Sequence, residues 1–390
     1  MIKTMFAKIA SDQLFKRLDS LESGTLTLTT PDGQTRIFEG KKPGEKAHLQ
    51  LHDWSVVTNM IRKGDIGFAE DYRAGKWQAD NLVDLTAIGL KNRTALDNFV
   101  AGNGLTRAAS MFSYLFRMNT LKGSRKNIHE HYDLGNDFYS LWLDPTMSYS
   151  SALYKHGDES MVQAQHNKYD RILDCMETES GKVLEVGCGW GGFAERAHER
   201  GDYAVKAITL SDEQHDYAKK RTGGYADIVL EDYRLQTGLY DRIVSIEMFE
   251  AVGEKFWPTY FKKLRELMKA NGKAVIQTIT INDTDFERYR TGGDFIRSFI
   301  FPGGMLPSPS RFRQEAAKAG LKVNNEFFFG QDYARTLTEW LKTFDLKVDQ
   351  VRALGFDEGF IRLWRFYLGA CAGGFRAGRT NVMQVEVSHA

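Results

Sequence analysis

Hydrophobic and polar positions alternate across residues 24–39, Gly-Thr-Leu-Thr-Leu-Thr-Thr-Pro-Asp-Gly-Gln-Thr-Arg-Ile-Phe-Glu. A period of two turns one face of a strand to a core. Pro31, Asp32 and Gly33 break the run with turn chemistry, so the pattern predicts a hairpin. A third strand is expected at Ala47–Leu51, and segments 55–63 and 82–91 carry helical spacing. Residues 1–105 therefore read as a small α+β domain, with no cluster of His, Cys or paired acids to assign chemistry to. Residues 106–127 turn helical and then basic, which marks a linker. From 128 to 390 strand-type and helix-type segments alternate. Strands are expected at Val183–Val186, Ala204–Thr209, Asp227–Val229, Arg242–Ile246 and Lys273–Thr280, with helices at 191–200, 212–221 and 255–269. That alternation predicts an α/β domain around a mostly parallel, doubly wound sheet of Rossmann-like type.

Composition narrows the partners. The 390 residues are 42% hydrophobic and 26% charged, with a net charge of +1. Those are the proportions of a globular protein, and they do not nominate nucleic acid. No apolar run approaches the roughly 18 residues of a membrane-spanning helix. The first ten residues are too short in apolar core for a signal peptide. Cys175, Cys188 and Cys371 form no Cys-x-x-Cys pair, so neither a metal site nor a disulfide frame is indicated, which suits a reducing cytoplasmic setting. Charge is uneven locally. Lys122, Arg125 and Lys126 follow Leu115, Phe116 and Met118, with no acid before Glu130. Basic residues interleaved with apolar ones suit the anionic inner face of a membrane.

The chemistry concentrates at residues 184–192, Leu-Glu-Val-Gly-Cys-Gly-Trp-Gly-Gly. Strand, glycine turn and helix let a backbone approach a nucleotide-like ligand closely. A Gly-x-Gly-x-Gly string alone serves dinucleotide enzymes, methyltransferases and ordinary turns. Glu185 before the first glycine, and the segments downstream, favour S-adenosylmethionine over NAD.

Four segments together resemble one family. They are Leu184–Gly192; His131–Tyr139 with Leu143–Ser150; Ala207–Gln214; and Tyr240–Glu250. Together they are similar to the cyclopropane-fatty-acyl-phospholipid synthases, a group that includes the mycolic acid methyltransferases. Phe301–Gly304, Gly330–Tyr333 and Cys371–Arg376 extend the resemblance, which spans about 125–385. It implies a class I methyltransferase fold and S-adenosylmethionine as cofactor. Gly187, Gly189 and Gly191 would hold the cofactor, helped by Glu185, Tyr149 and Ser150. Thr209, Leu210, Ser211 and Gln214 would take the place of the usual ribose acid, and Asp232 and Tyr233 would flank the adenine. The implied substrate is an unsaturated acyl chain of membrane phospholipid, met at the membrane surface.

The resemblance also implies a bound bicarbonate as base, held by a Cys, a Glu followed by His, a His, an Ile and a Tyr. Here the Cys position is Ser151, Glu250 is followed by Ala251, and the His position is Gln277 beside Thr278 and Ile279; Tyr333 is retained. Ser and Gln still donate hydrogen bonds but lack imidazole's charge and proton traffic. Bicarbonate is thus weakened as an expectation, and Glu250 itself becomes the candidate base. Catalytic roles fall to Glu250, Tyr333, Ser151, Gln277 and Ile279. The product is a cyclopropane or a methyl branch, and a saturated branch would require a redox partner. A homodimer is a further expectation, and no metal is expected. Two rival readings stay open: a methyltransferase of the same fold acting on a small diffusible molecule, and a non-catalytic lipid-binding relative.

Overall fold

The computed structural model describes residues 11–100, 119–120, 123–124 and 134–390. The basic stretch at Lys122, Arg125 and Lys126, and most of the expected linker, lie outside these residues. The chain divides into two units. One draws on Met1–Leu115, Thr291–Ile300 and Leu337–Arg379; the other on Phe116–Arg290, Phe301–Thr336 and Thr380–Ala390. The sequence placed all of 128–390 in one domain, so two late segments lie with the N-terminal unit instead.

In the first unit the strands are β1 (Ser23–Thr29), β2 (Thr35–Glu39), β3 (Lys42–Leu51) and β4 (Trp77–Ala79), in sheet order β2-β1-β3-β4. The hairpin is present as β1 and β2, pairing antiparallel from Thr25↔Glu39 to Thr29↔Thr35. The third strand exists too, pairing parallel to β1. Helices Ser55–Lys63 and Leu82–Lys91 match expectation, and Asp65–Arg73 adds a helix the spacing did not reveal. Asn81 caps Leu82–Lys91, its side chain accepting from the N–H groups of Val83 and Asp84.

The late recruit to this unit is helix Glu358–Arg376, which packs on Leu82–Lys91 and Asp65–Arg73. Close approach explains its glycines. A Cβ on Gly373 would stand 2.7 Å from Thr86 Cβ and 2.8 Å from the Val83 carbonyl oxygen. Backbone cannot yield there, so Gly373→Ala should lower stability by about 1–3 kcal/mol despite alanine's better helix propensity. Thermal melting of the purified variant measures this; an unchanged or raised melting temperature would contradict the packing.

The second unit carries β5 (Ser180–Val186), β6 (Asp202–Thr209), β7 (Asp227–Leu230), β8 (Tyr240–Ile246), β9 (Met268–Ile281), β10 (Leu321–Phe328) and β11 (Thr380–His389), in order β10-β11-β9-β8-β5-β6-β7. The sheet is parallel from β9 through β8 and β5 to β7, and antiparallel where β11 separates β10 from β9. The α/β fold with a mostly parallel sheet is therefore as expected. Val183, Val205, Ala207, Val244 and Val275 of the sheet share one core with Ile172, Leu173, Phe193 and Ala197 from helices Met161–Cys175 and Gly192–Arg200. Strand order reverses at β5, whose neighbours are β6 and β8. Ligands of such sheets sit at the carboxyl ends beside that reversal.

Candidate active site

A cavity of about 160 Å³ opens at that point. β5 delivers Glu185 and Val186 to its wall, and Gly187 and Gly189 follow with φ of 86° and 51°. A Cβ on Gly189 would meet nothing within 4 Å, because it would enter the open cavity. Tyr149 and Ser150 line the opposite approach, and Thr209, Leu210 and Gln214 come from the end of β6. Thr209 Oγ1 donates to Gln214 Oε1 at 2.8 Å. Asp232 and Tyr233 also line the cavity; Asp232 is 6% exposed and held by the N–H and guanidinium of Arg234. Two expected cofactor residues stand behind the wall instead. Ser211 caps helix Asp212–Thr222, accepting from Gln214 N at 3.3 Å. Gly191 starts the next helix, and a Cβ there would face Ala218 at 3.2 Å.

One wall residue asks for a ligand. Glu185 is 2% exposed, and its Oε2 is buried without a hydrogen-bond partner. Burial pushes its carboxyl well above the ordinary range, opposed by the charges of Lys168 and Arg221. The ammonium of an amino-acid tail, or a ribose hydroxyl, has the donors this oxygen lacks. The lining fits S-adenosylmethionine on that ground.

A second cluster at the cavity is built around an acid the sequence reading did not single out. Glu247 lies just past β8 with φ of 50°, a left-handed backbone more usual for glycine. Its side chain gathers three donors. Ser151 N and Gln277 Nε2 each donate to Oε1 at 2.8 Å, and Tyr333 Oη donates to Oε2 at 2.6 Å. Glu250 sits apart from these donors. Its Oε1 accepts from Ile279 N, and its Oε2 is buried without a partner. The Ser151 hydroxyl donates to the carbonyl of Ala152 at 3.0 Å. The groups expected to hold bicarbonate are therefore engaged within the protein: Gln277 and Tyr333 on Glu247, Ile279 on Glu250, Ser151 on backbone. A separate anion does not fit among them as they stand.

The mycolic acid cyclopropane synthetase family model matches residues 119–385. The chain is 36% identical to tuberculostearic acid methyltransferase UfaA1 of Mycobacterium tuberculosis over 86% of its own length and 82% of the relative's. It is 34% identical to the cyclopropane-fatty-acyl-phospholipid synthase of Escherichia coli, over 88% of both. The chain belongs to this family. Among solved structures, the mycolic acid cyclopropane synthase CmaA1 complexed with SAH and CTAB superposes with a TM-score of 0.63 at 32% identity, covering 67% of this chain and 97% of that one. The cyclopropane synthase MmaA2 of M. tuberculosis gives 0.64 at 28% identity, with the same coverages. The protein is an S-adenosylmethionine-dependent methyltransferase of the cyclopropane-fatty-acyl-phospholipid synthase family.

Beside the family positions lies a buried lysine. Lys168, 0% exposed, comes from helix Met161–Cys175 and donates to Ser150 Oγ and Gln165 Oε1, both at 2.7 Å. Burial drives its pKa down to about 7, against the pull of Glu247, Asp144 and Glu185. It fixes a cavity residue, and its protonated form is the one that Glu247, Asp144 and Glu185 favour. Burial likewise raises Glu247, countered first by the Tyr333 hydroxyl and then by Ser151, Gln277 and Lys168. Burial raises Glu250 to about 8, and the neighbouring charge of Glu247 adds to the rise. Three donors gather on Glu247, whereas burial and the neighbouring charge hold Glu250 up at about 8, so of the pair Glu250 holds its proton the more firmly.

This assignment has a stability signature. An acid raised from 4.5 to about 8 on folding stabilises fully below the unfolded value and loses that contribution as pH rises to the folded one. Glu250→Gln imitates the protonated acid and can still accept from Ile279. Its melting temperature relative to the parent should climb by several degrees between pH 5 and pH 8. A constant difference across that window would mean that Glu250 is ionised in the fold.

Proposed function

We propose that the chain adds a one-carbon unit to the double bond of an unsaturated acyl chain of membrane phospholipid, and that Glu247 is its resident base. The observation carrying this reading is the set of donors converging on Glu247. The activities of these relatives, methylation of a fatty acid and cyclopropanation of a fatty-acyl phospholipid, support the substrate class.

S-adenosylmethionine, when bound, supplies an electrophilic methyl carbon to the π electrons of the double bond, leaving S-adenosylhomocysteine and a cation on the acyl chain. The remaining work belongs to the protein. Gly187, Gly189, Glu185 and Gln214 hold the donor side, and Lys168 holds Ser150 at the cavity edge. Tyr149, on the wall and 6.5 Å from the Phe301 ring, offers an aromatic face near developing positive charge. Glu247 takes the proton that quenches the cation. If the proton leaves the new methyl while its C–H electron pair closes onto the cationic carbon, a ring forms. If a C–H pair forms a double bond instead, a branched alkene forms. Because the carboxylate is covalently part of the chain, activity should not respond to added bicarbonate.

The test is mass spectrometry of lipids from cells expressing the protein and fed trideuteromethyl donor. A cyclopropane retains two deuteriums, and a branched alkene formed by loss of a proton from the acyl chain retains three. An unlabelled lipid pool alongside labelling of a small soluble amine or phenol would overturn the acyl-chain assignment.

A further inference from the structure

The Gln277 amide presents nitrogen, not oxygen, to Glu247, and a line of side chains behind it explains why. Arg171 Nη1 donates to Gln384 Oε1 at 2.9 Å. Gln384 Nε2 donates to Gln277 Oε1 at 2.9 Å, and Gln277 Nε2 donates to Glu247 Oε1 at 2.8 Å. Gln277 and Gln384 are register partners on β9 and β11, 0% and 1% exposed. A primary amide can be turned over, oxygen for nitrogen, with almost no change of shape. A guanidinium has five donors and no acceptor, so only a carbonyl can face it. With Arg171 at one end, each amide must therefore pass an N–H inward. The carbonyl of Lys168, accepting from Gln384 Nε2 at 3.3 Å, agrees with that direction. Arg171 is itself seated over the Phe327 ring at 4.1 Å.

We propose that Arg171, acting through Gln384 and Gln277, is a positioning residue that fixes the hydrogen-bond polarity at Glu247 and keeps that carboxylate in its proton-accepting form. The proposal rests on Glu247 being the base. Glu247 is also faced by the Ser151 N–H, the Tyr333 phenol, the Lys168 ammonium and the Glu250 carboxyl, with Asp144 and Glu185 acting on Lys168. Among these, the Gln277 amide is the group whose direction is set from a distance. Turned over, it would offer Glu247 a carbonyl, which can bind only the protonated acid and so raises its pKa.

The readout is the pH profile of kcat for the full chain, with S-adenosylmethionine and vesicles of dioleoylphosphatidylglycerol. A base works deprotonated, so the rising limb follows its pKa. Gln384→Met breaks the line without changing charge and should move that limb up by about one pH unit. Arg171→Met should do the same, and Arg171→Lys, still a donor only, should restore the parent profile. The double variant Arg171→Met with Gln384→Met should move the limb no further than Gln384→Met alone, because the arginine acts through the amide. Calorimetric cofactor binding shows that each variant is folded. A limb that stays in place overturns the proposal. So does a double variant whose shift is the sum of the singles, which is the mark of a through-space charge effect. Full turnover in Glu247→Gln would instead overturn the base assignment, and the relay with it.

Discussion

Glu247→Gln should lower turnover by about 10²–10⁴-fold, the usual contribution of a positioned base, while cofactor affinity changes little. The substitution keeps the side chain's size and removes the charge. Its amide oxygen can still accept from the Ser151 N–H and the Gln277 amide, with the NH2 toward the Tyr333 hydroxyl, but a neutral amide cannot take up the proton. Glu250→Gln is the matched control. Its carboxyl has the Ile279 N–H and a weaker contribution from Thr278, its second oxygen is unpartnered, and Glu250 does not line the cavity, although Glu247 does. Its loss should therefore be small beside that of Glu247→Gln. Single-turnover kinetics with labelled cofactor and unsaturated phospholipid vesicles give both values. The opposite ranking would return the base to Glu250, where the resemblance to the family first placed it.

How far the sequence reaches can be read from these residues. The glycine turn, the parallel strands and most of the residues that line the cavity were visible because they depend on local rules: apolar runs and glycines that free the backbone. Glu247 was not visible as the central acid. Its role comes from a backbone turned to φ 50°, which aims the carboxylate at donors from three distant segments. The pair of acids three apart after an apolar strand, Glu247 and Glu250, was the available signal, and family likeness drew attention to the second alone. Lys168 left a trace as well. Lys168 lies among the buried residues of its helix, with Ala164, Gln165, Asn167, Tyr169, Ile172 and Leu173, and a lysine in such company marks a desolvated charge that needs partners. Gln384 left none. Its meaning depends on β11 inserting between β10 and β9, a long-range pairing that no local pattern encodes. The recruitment of Glu358–Arg376 to the first unit has the same cause: the small residues at Gly369 and Gly373 match Leu82 and Thr86 far away in the chain.

Gly189→Val should abolish measurable cofactor binding while leaving the fold intact. Two glycines of the turn separate these effects. At Gly187 an added Cβ would stand 3.0 Å from Met248 Cγ, so substitution there disturbs the protein's own packing. At Gly189 it would meet nothing within 4 Å. The valine methyls would therefore occupy the cavity itself, where the ligand's edge must lie against bare backbone. The conformational penalty is modest: holding a non-glycine residue at φ 51° costs roughly 1–2 kcal/mol, which lowers the melting temperature without unfolding the domain. The binding penalty is steric, and a displacement of the ligand that cost about 4 kcal/mol would already weaken affinity about a thousandfold. Calorimetry with S-adenosylmethionine and with S-adenosylhomocysteine measures it directly, with a thermal melt to show the variant folded. Gly189→Ala, whose single methyl enters the same space, should fall between parent and valine. If valine at 189 bound as tightly as glycine, the cofactor would not lie against this turn, and the assignment of Glu185 and Gln214 to the same ligand would fall with it.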